Sequence, residues 1–98
     1  MNYKDLIIED IRLVILRCLE EDAGYALNES VLASIMPVFG HHISRDSIRT
    51  ELQWLAEQGL VTVEDVMSVS VASITKRGVD VARGTAIVPG VKRPGPRG

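Results

Sequence analysis

The stretch Ser44–Val61, SRDSIRTELQWLAEQGLV, reads as one helix with a start, a buried stripe and a stop. Ser44 has the side chain to cap the first free backbone N–H groups. Ile43 and Ile48 stand one before and four after that cap, the spacing of a hydrophobic staple. Ile48, Leu52 and Leu55 recur at i, i+4 and i+7, one face of a helix. Gly59 falls where a left-handed residue ends a helix, and Leu60-Val61 restart the chain as a strand. With the stripe turned inward, Asp46, Ser47, Arg49, Thr50, Gln53, Trp54 and Glu57 occupy the outer and flanking faces.

The chain before this helix supplies two more. Residues 4–22 place Ile7, Ile11, Val14, Ile15 and Cys18 on one stripe, so Cys18 is expected to be an inert, buried thiol. Leu6, Leu13 and Leu16 fall off that stripe. Three leucines on a second face predict a homodimer interface, with cover by the last helix of the same chain as the rival arrangement. Tyr25–Leu27 reads as an extended link. Asn28 caps a second helix that ends near Met36, because Pro37 biases its predecessor away from helix. Phe39 is expected to plug the corner before the third helix.

After Gly59 the valine-rich runs Leu60–Val63 and Val69–Ile74 predict a hairpin, whose register is open because its tip lacks an Asn-Gly turn. Trp54 is expected either against this hairpin or free for a partner. Thr75 caps a last short helix that Gly84 ends. From Thr85 onward TAIVPGVKRPGPRG has no helical period and predicts a flexible, basic Pro/Gly-rich tail, residues 85–98. The expected organisation is therefore one domain over 1–84 followed by that tail.

Composition narrows the function classes. Ninety-eight residues with 46% hydrophobic and 4% aromatic side chains suit one small domain with an aliphatic core. The net charge of −2 hides an asymmetry. Residues 1–75 hold five basic against twelve acidic side chains, and residues 76–98 hold six against one. An acidic body argues against strong non-specific DNA binding, whereas a basic end invites an anionic partner. One cysteine excludes an internal disulfide. No apolar run approaches the roughly 18 residues of a membrane span, and acids interrupt the N-terminal apolar stretch where a signal peptide has none. A cytoplasmic protein of a bacterial host cell is expected.

Catalytic chemistry finds no constellation, so no enzyme activity and no cofactor are expected. The acids are spread along helix faces, and the glycines form no phosphate loop. His41, His42 and Cys18 fall short of the four paired ligands of a structural zinc site, and no metal is expected.

The order helix, helix, SRDSIRTELQWLAEQGLVTVED, hairpin, SITKRGVDVARG resembles winged-helix regulators of the ArsR and MarR type over residues 4–84. In those proteins a capped recognition helix leads through Gly-Leu-Val to a wing, and a Leu-Thr-x-x-Gly start opens the next helix. Here that start stands as Ile74-Thr75-Lys76-Arg77-Gly78. The whole chain, with LVILRCL near its start and VPGVKRPGPRG at its end, resembles a family of small proteins from Mu-like phages and prophages. The resemblance implies a mainly helical α+β fold: a winged helix-turn-helix with three helices, a β-hairpin wing and a short C-terminal helix.

It also implies contact with double-stranded DNA through Asp46, Ser47, Arg49, Thr50 and Gln53, beside Ser44 and Arg45 at the helix start. Arg can pair with guanine and Gln with adenine, while Ser and Thr suit phosphate or base. A phage transcription regulator is the first expectation. The alternative is a protein–protein adaptor in phage assembly or DNA packaging, binding another phage protein through Trp54 and the tail.

Overall fold

The computed structural model describes residues 2–95. Helix α1 (Tyr3–Glu21) is followed by a short strand β1 (Ala26–Asn28), helix α2 (Glu29–Ile35) and a 3₁₀ turn (Met36–Phe39). Helix α3 (Arg45–Glu57), the strands β2 (Val61–Val66) and β3 (Val69–Ile74), and helix α4 (Lys76–Arg83) complete the order. The three strands form one antiparallel sheet in the order β1-β3-β2. This mainly helical α+β arrangement is compatible with the expected winged helix.

Local chemistry sets the helix starts. Ser44 accepts a hydrogen bond from the Ser47 N–H, Asn28 from Val31 and Thr75 from Gly78. Each side chain satisfies one donor that the first helical turn leaves free. The hairpin closes through Met67-Ser68, both at positive φ, which matches a tight primed turn and pairs Val66 with Val69. The register left open by the sequence is thereby set: Val61, Val63, Ala72 and Ile74 share the face packed on the core.

Three expectations are corrected. Residues 25–27 are more than a link. Residues 26–28 pair with 71–73 and make the third strand. Phe39 does not plug the corner but stands half exposed. Leu13 and Leu16 are 3% and 0% exposed within a single chain, and of the expected dimer interface only Leu6, at 54%, faces out. Helix α4 packs across α1 and buries Val81 and Ala82 in the same core, which is the rival arrangement. A second chain is thus not needed to cover Leu13 and Leu16.

The expected boundary at Gly84 is also corrected, because packing continues past it. Val88 and Val91 are 5% and 7% exposed, and the Lys92 N–H donates to the Glu9 carbonyl. Residues 85–92 form a strap laid along α1 instead of a free tail. The end of the expected tail, residues 96–98, lies outside the described residues. Cys18 is half buried against the core, and burial, with Glu21 nearby, pushes its thiol pKa up. A thiol held protonated is a poor nucleophile. Among the described residues no helix is long and apolar enough to cross a membrane.

Candidate functional site

The inward stripe of α3 forms as its spacing dictates: Ile48, Leu52 and Leu55 are fully buried. That fixes the outer face, and the seven expected contact residues divide among four environments. Ser44 is bound to the helix start, and the Thr50 hydroxyl donates to the Asp46 carbonyl. Ser47 turns toward α1, where it lines an apolar groove of about 270 Å³ with Ile7, Ile8, Ile11 and Ile43. Arg49 and Gln53, one turn apart, line a polar cleft of about 510 Å³ with Asp65, Ser68 and Ser70 of the hairpin. Arg45 and Asp46 are exposed at the N-terminal end of the same helix.

Glu29 organises this end of the molecule, and the sequence gives no sign of it. It follows the Asn28 cap, where an acid suits the helix dipole and needs no further explanation. In the structure its side chain is 0% exposed. Its Oε2 accepts from Arg49 Nε at 2.6 Å, and its Oε1 accepts from Arg49 Nη2 at 3.2 Å and from the buried Ser70 N–H at 3.0 Å. Arg45 Nη2 lies 3.4 Å from Oε1. One carboxylate therefore ties α2, α3 and β3 together. A buried charge is tolerated only when it is paired and hydrogen-bonded, and this one is both.

The Arg49 hydrogen bond, then the Ser70 N–H, outweigh burial and lower the Glu29 pKa from 4.5 to about 2. The unfolded chain therefore takes up this proton first as pH falls. The stability contributed by Glu29 is complete above about pH 4.5 and is lost progressively as pH falls through about 2. Urea midpoints measured across that window should fall more steeply for the wild type than for Glu29→Gln. Parallel curves would show that the carboxylate is not held in this way.

A second polar cluster centres on Asp10 of α1. His41 Nε2 is 2.6 Å and Lys92 Nζ 3.3 Å from the two oxygens of Asp10. Burial alone would raise the Asp10 pKa, but the hydrogen bonds from His41 and Lys92 outweigh it and hold it below the ordinary value. Next to it, Trp54 takes neither expected position. The Arg12 guanidinium stacks on its ring, 3.7 Å from the centroid, while Arg12 also binds Glu51 and the Gly90 carbonyl. Trp54 is thus covered by the strap. Among the described residues no three His, Cys, Asp or Glu side chains converge as a metal site requires.

The hairpin tip differs from the rest of this surface. Met67 is 93% exposed and Val66 about half, between Glu64, Asp65 and Ser68. The tip carries no basic residue, so it offers a phosphate no cationic partner.

No family model matches the sequence. Two proteins do. The chain is 52% identical over 93 residues to the uncharacterized protein gp26 of Escherichia phage Mu, covering 95% of this chain and 96% of that one. It is 53% identical over 78 residues to an uncharacterized protein of Haemophilus influenzae Rd, covering 79% of this chain and 76% of that one. The first match extends nearly end to end and ties the chain to bacteriophage: it belongs to the family of the phage Mu protein gp26.

Proposed function

We propose that this chain is a winged-helix protein of the phage programme, without enzymatic activity, that binds double-stranded DNA and regulates transcription. The order of elements and of strands suits a winged helix, with α3 as the reading helix and β2–β3 as the wing. The observation that carries the reading is the placement of Arg49 and Gln53. They stand one turn apart on the outer face of α3, open to a polar cleft beside the hairpin. These are the residue types that pair with guanine and adenine edges in a major groove.

Footprinting on the DNA of the phage that carries this gene, at about 100 mM salt, tests the proposal. Protection of a defined site is expected. Arg49→Ala should weaken specific binding by about 1–3 kcal/mol. Binding no stronger than to unrelated DNA overturns it.

The hairpin favours a second reading, an adaptor that binds another phage protein. An exposed Met67, with Glu64 and Asp65 just before it and no basic residue at the tip, suits a protein surface better than a phosphate backbone. Salt separates the two. DNA binding must weaken steeply with salt, whereas a contact through Val66 and Met67 must not. Loss of a co-purifying phage protein on Met67→Glu, with DNA binding absent, would establish the adaptor.

A further inference from the structure

We infer that Glu29 is a positioning residue that presents Arg49 to the edge of a guanine base, making the cleft between α3 and the hairpin a guanine reader. This rests on the DNA-binding reading above and adds the device that holds Arg49 for its base.

The geometry begins with which edge of the guanidinium is occupied. Arg carries five N–H donors in a planar fork. Glu29 takes the side edge, Nε and Nη2. Nη1 and the second hydrogen of Nη2 form the other edge, and among the described residues they have no hydrogen-bond partner. Two parallel donors on that end edge match the N7 and O6 acceptors of guanine.

An unsupported Arg on a helix surface samples many rotamers, and ordering it opposes binding. Here the ordering is done before any ligand arrives. Glu29 is itself fixed, being 0% exposed and held by the Ser70 N–H of a different element. Arg49 remains about half exposed, so the guanidinium is held without being hidden.

Charge narrows the ligand. Arg45 and Arg49 around one carboxylate leave a single net positive charge. Asp65 lines the same cleft. A phosphate or a peptide carboxylate seated against Arg49 would meet the Asp65 carboxylate, and like charges repel. A guanine edge offers acceptors without formal charge and avoids that penalty. Gln53, one turn on, can contact the neighbouring base.

The test is a selection from a random duplex library with the full chain. Affinities are then measured for the selected site and for the same site with each guanine replaced in turn by 7-deazaguanine, which lacks the N7 acceptor. One replacement is expected to weaken wild-type binding by about 5- to 150-fold. In Glu29→Gln that ratio should fall toward one, with affinity for unrelated duplex kept. Circular dichroism checks its fold. Should it fail to fold, Arg49→Lys, which keeps the charge but lacks the fork, is expected to lose the same discrimination.

If the wild type binds no duplex, the DNA-binding reading falls and this inference with it. Should the wild type bind a defined site with no guanine dependence, this inference alone is overturned. A folded Glu29→Gln that keeps the full ratio overturns it too, as does an acidic protein partner lost on Arg49→Lys.

Discussion

Gly78→Ala is expected to cost about 3 kcal/mol or more, at the upper end of what overpacking a close contact does. Gly78 sits in the first turn of α4, with ordinary helical backbone, so conformational freedom does not explain it. Proximity does. A Cβ built there would collide with the Leu60 carbonyl oxygen and come within 2.7 Å of Ile74 Cγ1. Neither neighbour can retreat easily. The Leu60 carbonyl accepts from the Thr75 N–H at 3.1 Å, and the Gly59 carbonyl accepts from the Thr75 hydroxyl at 2.8 Å. Moving α4 away to make room would break these bonds and lift Val81 and Ala82 from the core. A domain has only about 5–15 kcal/mol in total, so this change removes a large share. Urea unfolding followed by circular dichroism measures it, with Lys76→Ala, exposed two residues earlier, as the near-neutral control. A Gly78→Ala protein within about 0.5 kcal/mol of the wild type would mean that α4 does not dock as described. The glycine of the Ile74-Thr75-Lys76-Arg77-Gly78 start thus has a packing explanation.

What the sequence makes legible here is local. Ser44, Asn28 and Thr75 each bond a backbone N–H three residues on, so the signal and its partner lie in one short window. The buried stripe of α3 is legible for the same reason: Ile48, Leu52 and Leu55 define their own face. The features that the sequence does not disclose join distant parts. Strand β1 is three residues whose partners lie more than forty positions away. Glu29 meets Arg49 and Ser70 across separations of 20 and 41 residues. Its role cannot be read from spacing, since an acid after a helix cap is ordinary. Leu13 and Leu16 show the converse. Their second face was readable, but the choice between α4 and a second chain depends on where the hairpin delivers α4. The candidate site was legible as a list of residue types on one helix. Which of them is held, and by what, was not.

Gly90→Ala is expected to lift the C-terminal strap from Trp54. Two independent terms act at this position. Its φ of +98° is a conformation that side chains with a Cβ rarely adopt, and left-handed backbone costs roughly 1–2 kcal/mol for a non-glycine residue. A Cβ there would also stand 2.6 Å from Trp54 Cζ2 and 3.2 Å from Arg12 Nη1. Overpacking of this kind adds about 1–3 kcal/mol. Both terms fall on the strap and not on the helices, so the strap is expected to release while the three-stranded sheet persists. Release would uncover Val88 and Val91 and remove the Gly90 carbonyl from Arg12. The chain has one tryptophan, so tryptophan emission reports the surroundings of Trp54 alone. Gly90→Ala should shift that emission to the red and make it more accessible to acrylamide, with the far-ultraviolet circular dichroism retained. A chain ending at Gly84 should show the same emission as Gly90→Ala. Unchanged emission and quenching in Gly90→Ala would mean that the strap does not rest on Trp54 through Gly90 in solution. A change confined to the truncated chain would place the cover elsewhere in residues 85–98, away from Gly90.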